Sequence, residues 1–250
     1  MRDLGKGLKV GLRGGLSPVA LLALFAMSQP ASAAEVYWTD WSSYTLGTNN
    51  GTAAGTITTN GGPIGVTYHG EVTSETNVTG SAAPSWLPAS TYADGTIVND
   101  APNFRDVIAQ NGGPGTGTNT IVFSQPILDP VMSIWSLGSG GDNANYTFTQ
   151  SEPYQIVAGG PSDEYGGGPL VPNGSAYSVT GSEANGTLYF VGTYSEITFT
   201  NTNFENWYGF TIGVDGIAPP SGVPEPITLS IFGAGLAGAA AMRRRKAKSA

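Results

Sequence analysis

The 250-residue chain has no cysteine and a single histidine, His69. The first absence excludes disulfides, thiolate catalysis and Cys-ligated zinc or iron–sulfur sites. The second excludes metal sites of the HExxH type. Positive charge is missing from the long middle of the chain. Nine of the ten Lys/Arg lie in residues 2–13 or 243–248, so residues 34–222 hold sixteen carboxylates against one cation, Arg105, a formal −15. Such a field repels phosphate backbones, whose binding depends on Lys/Arg displacing counterions, and nucleic-acid partners are excluded. Helical patterning is scarce there as well: within residues 34–222 only the stretch around residues 103–110 reads as helical.

What is present is aromatic and turn-rich. All five Trp, all eleven Tyr and seven of the nine Phe fall within residues 34–222. Disordered chains are poor in such residues, so this body folds. Gly and Pro supply 42 of its 189 residues, which suits short strands joined by many turns. Strand candidates are Glu35–Trp41, Gly65–Val72, Asn119–Ser124, Val131–Leu137, Ala144–Gln150, Tyr154–Ala158, Ala176–Val179, Gly186–Gly192, Glu196–Asn201 and Trp207–Val214. Turn chemistry such as Asn60-Gly61-Gly62-Pro63 and Asn111-Gly112-Gly113-Pro114 separates them. No fixed-period repeat is present, which argues against solenoids and propellers. The pattern predicts one all-β ectodomain over residues 34–217, an antiparallel β-sandwich of jelly-roll type, followed by a Pro/Gly spacer at 218–222.

The ends read as addresses. Arg2, Lys6, Lys9 and Arg13 precede an apolar core, Val19–Met27, and a small-x-small site at Ala31-Ser32-Ala33. Residues 1–33 are thus expected to be a signal peptide, handled by the secretory translocon and signal peptidase, with Ala34 starting the mature chain. At the other end Val223-Pro224-Glu225-Pro226 leads into the uncharged run Ile227–Met242, then Arg243, Arg244, Arg245 and Lys246. As a helix, residues 227–242 would extend about 24 Å. That is slightly short of a ~30 Å hydrocarbon core, a gap that snorkelling Arg stems can close. The basic cluster predicts a cytoplasmic C-terminus and transient anchoring in the inner membrane.

Pro-Glu-Pro, a short Gly/Ala-rich span and a basic end, in this order, resemble the PEP-CTERM sorting tail, here residues 223–250. The resemblance implies export in a Gram-negative bacterium that makes exopolysaccharide. It implies recognition of Val223, Pro224, Glu225 and Pro226 by an exosortase, a membrane protease-transpeptidase, with Arg243–Lys246 as the topological stop. Delivery to the cell surface or extracellular matrix would follow. More loosely, Val36–Trp41 and Glu205–Phe210 are similar to ectodomain segments of other PEP-CTERM proteins; as first and last strands they are expected to be neighbours.

Chemistry within the body is thinly signalled. His69 has no Gly-x-Ser-x-Gly elbow to accompany it, and sixteen carboxylates single out no glycosidase pair. Asp142, Asn143 and Asn145, and also Asp163 and Glu164, offer hard oxygen ligands for calcium in Gly-rich turns, although solvated turns use the same residues. Trp86, between Pro84 and Pro88, is the candidate for stacking on a sugar ring, against the alternative of core packing. The expected function is therefore non-enzymatic: a structural or adhesive component of an exopolysaccharide-rich coat. A glycan- or calcium-binding surface module is the alternative and a secreted hydrolase the third reading.

Overall fold

The computed structural model describes residues 35–79, 85–103, 106–140, 143–149, 152–174 and 177–217. The expected signal peptide (residues 1–33), spacer (218–222) and 227–242 span, like the rest of the C-terminal tail, lie outside the described residues. Among the described residues no helix is long and apolar enough to cross a membrane.

The described body is all-β. Its first strands are β1 (Tyr37–Thr45), β2 (Gly47–Thr59), β3 (Gly62–Val72), β4 (Ile108–Gln110), β5 (Thr118–Leu137) and β6 (Ala144–Phe148). Then come β7 (Tyr154–Gly160), β8 (Val171–Pro172), β9 (Ser178–Gly181), β10 (Ala184–Phe190), β11 (Thr193–Thr200) and β12 (Tyr208–Ile217). Pairing runs β5–β12–β1–β2–β3 and returns to β5, so these five strands close on themselves. The remaining strands flank this barrel: β10 and β7 lie along one stretch of β5, β11, β6, β9 and β8 along the other, and β4 pairs with β12.

Closure is the departure from the expected jelly-roll sandwich, and β5 explains it. Asn119–Ser124 and Val131–Leu137 are one strand, not two. Residues 120–123 of it pair with β3, and residues 127–135 pair with β12. Between them the strand bulges: Tyr194 of β11 faces Ile127 but Glu196 faces Val122. Asp129, between Ile127-Leu128 and Pro130, takes φ 48°. A bulge raises local twist and bends the strand, which lets a sheet curl shut and removes open edges.

Two further differences have local causes. β2 was not foreseen because Gly, Asn and Thr dominate it, yet it pairs with both β1 and β3. Its small inward residues are required: a Cβ on Gly55 would sit 2.7 Å from the Asp40 carbonyl oxygen. The stretch read as helical contains β4 instead, held against β12 with Ile108 opposite Phe210. The first and last strands do pair, with Tyr37 opposite Val214 and Trp38 opposite Gly213, but through residues beyond Glu205–Phe210, whose strand portion, residues 208–210, lies against β4 and β5.

Alternation decides which faces go inward. Ile64, Val66 and Tyr68 of β3, Ile197 and Phe199 of β11, and Phe210, Ile212 and Val214 of β12 enter the main core with Trp41, Tyr146 and Tyr208. Two smaller clusters lie outside it. One joins Trp86, Tyr92, Val107, Ala109 and Trp135; the other joins Val36, Trp38, Val98 and Val131.

Candidate functional site

The main core contains a closed polar network. The Tyr68 hydroxyl donates to Asn119 Oδ1 at 2.6 Å and accepts from Gln110 Nε2 at 2.7 Å. Gln110 Oε1 accepts from the Tyr146 hydroxyl at 2.6 Å, and Asn119 Nδ2 donates to Asn201 Oδ1 at 2.8 Å. Asn201 Nδ2 donates to Glu71 Oε2 at 2.7 Å, and the Gly112 amide donates to the same oxygen at 2.8 Å. Burial, reinforced by neighbouring Tyr and Glu groups, pushes the Tyr68 and Tyr146 phenols well above their ordinary range, so both stay protonated. Its members use one another as partners, which makes it a structural knot. Glu71 also reaches the wall of an open groove of about 410 Å³ beside Leu46, Thr48, Ser74 and Asn111.

A second cleft has a different character. β5 supplies Trp135, the residue preceding β12 supplies Trp207, and a tight turn supplies Tyr165. Their ring centroids are 4.8 Å apart for Trp135–Trp207, 5.3 Å for Tyr165–Trp207 and 5.5 Å for Trp135–Tyr165. The turn is closed by hydrogen bonds between Ser162 and Gly166 in both directions, and the Asp163 amide ties it to the Leu87 carbonyl at 2.7 Å. Trp135, Trp207, Glu75, Asn77, Ser85 and Glu164 line a cleft of about 300 Å³ at this triad. Burial raises the Glu164 carboxyl above its usual range, opposed by a hydrogen bond with the Ser85 side chain.

Two polar atoms in the walls of this cleft lack partners among the described residues: Trp135 Nε1 and Glu164 Oε2. Trp135 is 1% exposed. A buried donor left unpaired costs roughly 1–3 kcal/mol, so its retention requires an explanation.

The predicted site residues fall as follows. Trp86 is a correction: it is 3% exposed, its Nε1 donates to the Asp106 carbonyl at 3.2 Å, and its ring meets Tyr92 edge-on. Flanking prolines do not keep it outside, because Val107, Ala109 and Trp135 offer an apolar pocket. Asp142 lies outside the described residues. The Asn143 carbonyl accepts from Asn203 Nδ2, while Asn145 is buried and donates to Thr147 Oγ1 at 2.9 Å. Asp163 is exposed, and Glu164 turns to the aromatic cleft. Among the described residues no three Asp, Glu or His side chains come together as a cation site. His69 is an exposed strand residue opposite Thr52 and Thr120. The Val223–Pro226 motif, the Arg243–Lys246 stop and the Ala31–Ala34 cleavage region lie outside the described residues.

Sequence reasoning missed Trp135, Trp207 and Tyr165 as a group. They are distant in the chain and share no spacing; only the pairing of β12 with β5, which sets Gly209 opposite Trp135, brings Trp135 and Trp207 together.

Comparison with known families matches residues 222–246 to the PEP-CTERM protein-sorting motif. No curated protein and no solved structure matches the chain. The matched segment contains Val223-Pro224-Glu225-Pro226, the uncharged run and the first four basic residues. The chain thus carries a PEP-CTERM sorting motif, the kind of signal that marks exported proteins for an exosortase.

Proposed function

We propose that the β-barrel body is cargo for the extracellular coat, where it acts by adhesion or as a structural component among polysaccharide chains. The observation that carries this reading is the sorting motif at residues 222–246 following an acidic all-β body. In this reading the translocon and signal peptidase start the route, the inner membrane holds the chain through residues 227–242, and exosortase passes it outward. A body with sixteen carboxylates and one cation stays soluble in a hydrated matrix, since its own charge opposes self-association. The body acts by binding rather than turnover.

The test is fractionation of producing cells, followed by incubation of the purified full chain with their own matrix polysaccharide. Retention without release of new reducing ends is expected. Release of reducing ends that is lost in Glu164→Gln would replace this reading with the hydrolase one. A protein confined to the cytosol would remove it altogether.

A further inference from the structure

We propose that the cleft formed by Trp135, Trp207 and Glu164 is a binding site for a neutral, hydroxyl-rich glycan. The proposal deepens the coat reading and rests on it for its biological setting.

Three observations converge. The first is ring surface. Trp207 is only part-buried and Tyr165 is 45% exposed, and both pack on Trp135, which lines the cleft. Aromatic faces at a solvent boundary suit the apolar C–H faces of a sugar ring. The second is the pair of unpartnered atoms, one a donor and one an acceptor. Trp135 Nε1–H can only donate and a Glu164 carboxylate oxygen can only accept. Ligand hydroxyls do both, accepting from an indole and donating to a carboxylate. An ammonium ligand has no lone pair for the indole, and an anion has no proton for the carboxylate. The third is charge. The cleft is flanked by Glu75 and Glu164, and the described residues contain no Lys or Arg. Uronic or sulfated sugars are therefore disfavoured, and neutral ones selected.

The volume of about 300 Å³ is at the small end of ligand clefts, enough for a short glycan segment and not for a globular partner. Both orphan atoms are buried, so reaching them takes a side-chain shift. Tyr165 is suited to it, being the exposed member of the triad on a turn followed by Gly166 and Gly167, with φ 70° and 81°.

The experiment is a titration of the purified full chain, followed by intrinsic tryptophan fluorescence and calorimetry. The probes are hexamers of glucose, mannose and galactose, with hexagalacturonate as the anionic comparison. At least one neutral hexamer is expected to bind, with hexagalacturonate at least tenfold weaker. Trp207→Ala and Glu164→Gln should each weaken binding tenfold or more, while Tyr44→Ala, an exposed aromatic on β1, should leave it unchanged. Thermal melts of each variant confirm that the fold survives. Absence of binding by all three neutral hexamers overturns the proposal, as does binding that ignores both cleft substitutions or prefers the uronate. Failure here with the protein still found in the matrix leaves the coat reading intact. Binding by a protein absent from the matrix removes the coat reading and keeps the site.

Discussion

Asn201 donates its side-chain amide to the Glu71 carboxylate at 2.7 Å, joining residues 130 apart in the chain inside the main core. The same Asn201 side chain accepts from Asn119 and reaches the Tyr208 hydroxyl at 3.1 Å. Asn201→Ala therefore strips partners from three buried groups at once. The expected cost is about 3 kcal/mol, a Tm fall on the order of 10 °C for a domain of this size. Asn203→Ala, two residues on and exposed, should change stability by no more than about 0.5 kcal/mol. Equal melting of the two variants would deny the network a structural role.

Gly112 and Gly95 separate backbone strain from close approach, because both have φ 71°. A Cβ on Gly112 would lie 2.3 Å from the Asn203 carbonyl oxygen and 2.4 Å from the Tyr208 hydroxyl, whereas a Cβ on Gly95 meets nothing within 4 Å. Gly95→Ala should cost about 1–2 kcal/mol, the left-handed penalty alone. Gly112→Ala must in addition displace the network and should cost at least about 2 kcal/mol more. Denaturant midpoints of the two variants measure the difference.

Stability should rise on mild acidification. Burial raises the carboxyls of Asp100, Glu152, Glu164 and Asp215, the last also through Asp129. A carboxyl whose folded value is raised binds its proton more tightly in the native state. Its contribution is then fully present below its unfolded value, about 4, and lost as pH climbs through the folded value. Asp94 has the opposite sign. Burial pushes it up, but hydrogen bonds from the Thr96 hydroxyl and the amides of Val98, Thr96 and Ile97 outweigh that and hold it low. Its stabilisation disappears as pH falls below about 4. Thermal melts should show a higher Tm near pH 5 than near pH 7, with the gain reversing under pH 4. A Tm that falls steadily from pH 7 downward would contradict the burial of these four groups.

Trp86 and Trp207 should respond differently to truncation. Trp86→Ala empties a buried site between Tyr92 and Trp135 and should cost about 3–5 kcal/mol. Trp207→Ala, at a part-buried position in the cleft, should cost clearly less while weakening glycan binding tenfold or more. Reversal of that order, by melting and titration, would return the ligand-facing role to Trp86.

How much of this was legible in the sequence follows from how local each signal is. Strands such as β11, where Ile197-Thr198-Phe199-Thr200 alternates buried and part-buried β-branched and aromatic residues, announce themselves. β2 does not, because Gly51, Ala53 and Gly55 are small for the sake of neighbouring strands, a tertiary demand that looks like turn composition. Barrel closure was hidden in β5, where Ser124-Gln125-Pro126 reads as a break between strands and is instead the bulge that bends one. The apolar face of Trp86 was seen, but its burial depends on Val107 and Trp135, which no spacing connects to it. The triad of Trp135, Tyr165 and Trp207 is likewise a product of register. The sorting motif was fully legible because its recognition depends on linear order.

The central claim is that the tail addresses an exported body, and mass spectrometry of both ends of the protein isolated from producing cells tests it most directly. The account predicts a first residue at or near Ala34 and a last residue at or near Pro224-Glu225-Pro226, in surface or matrix fractions. An intact chain from Met1 to Ala250 recovered from the cytosol would contradict it.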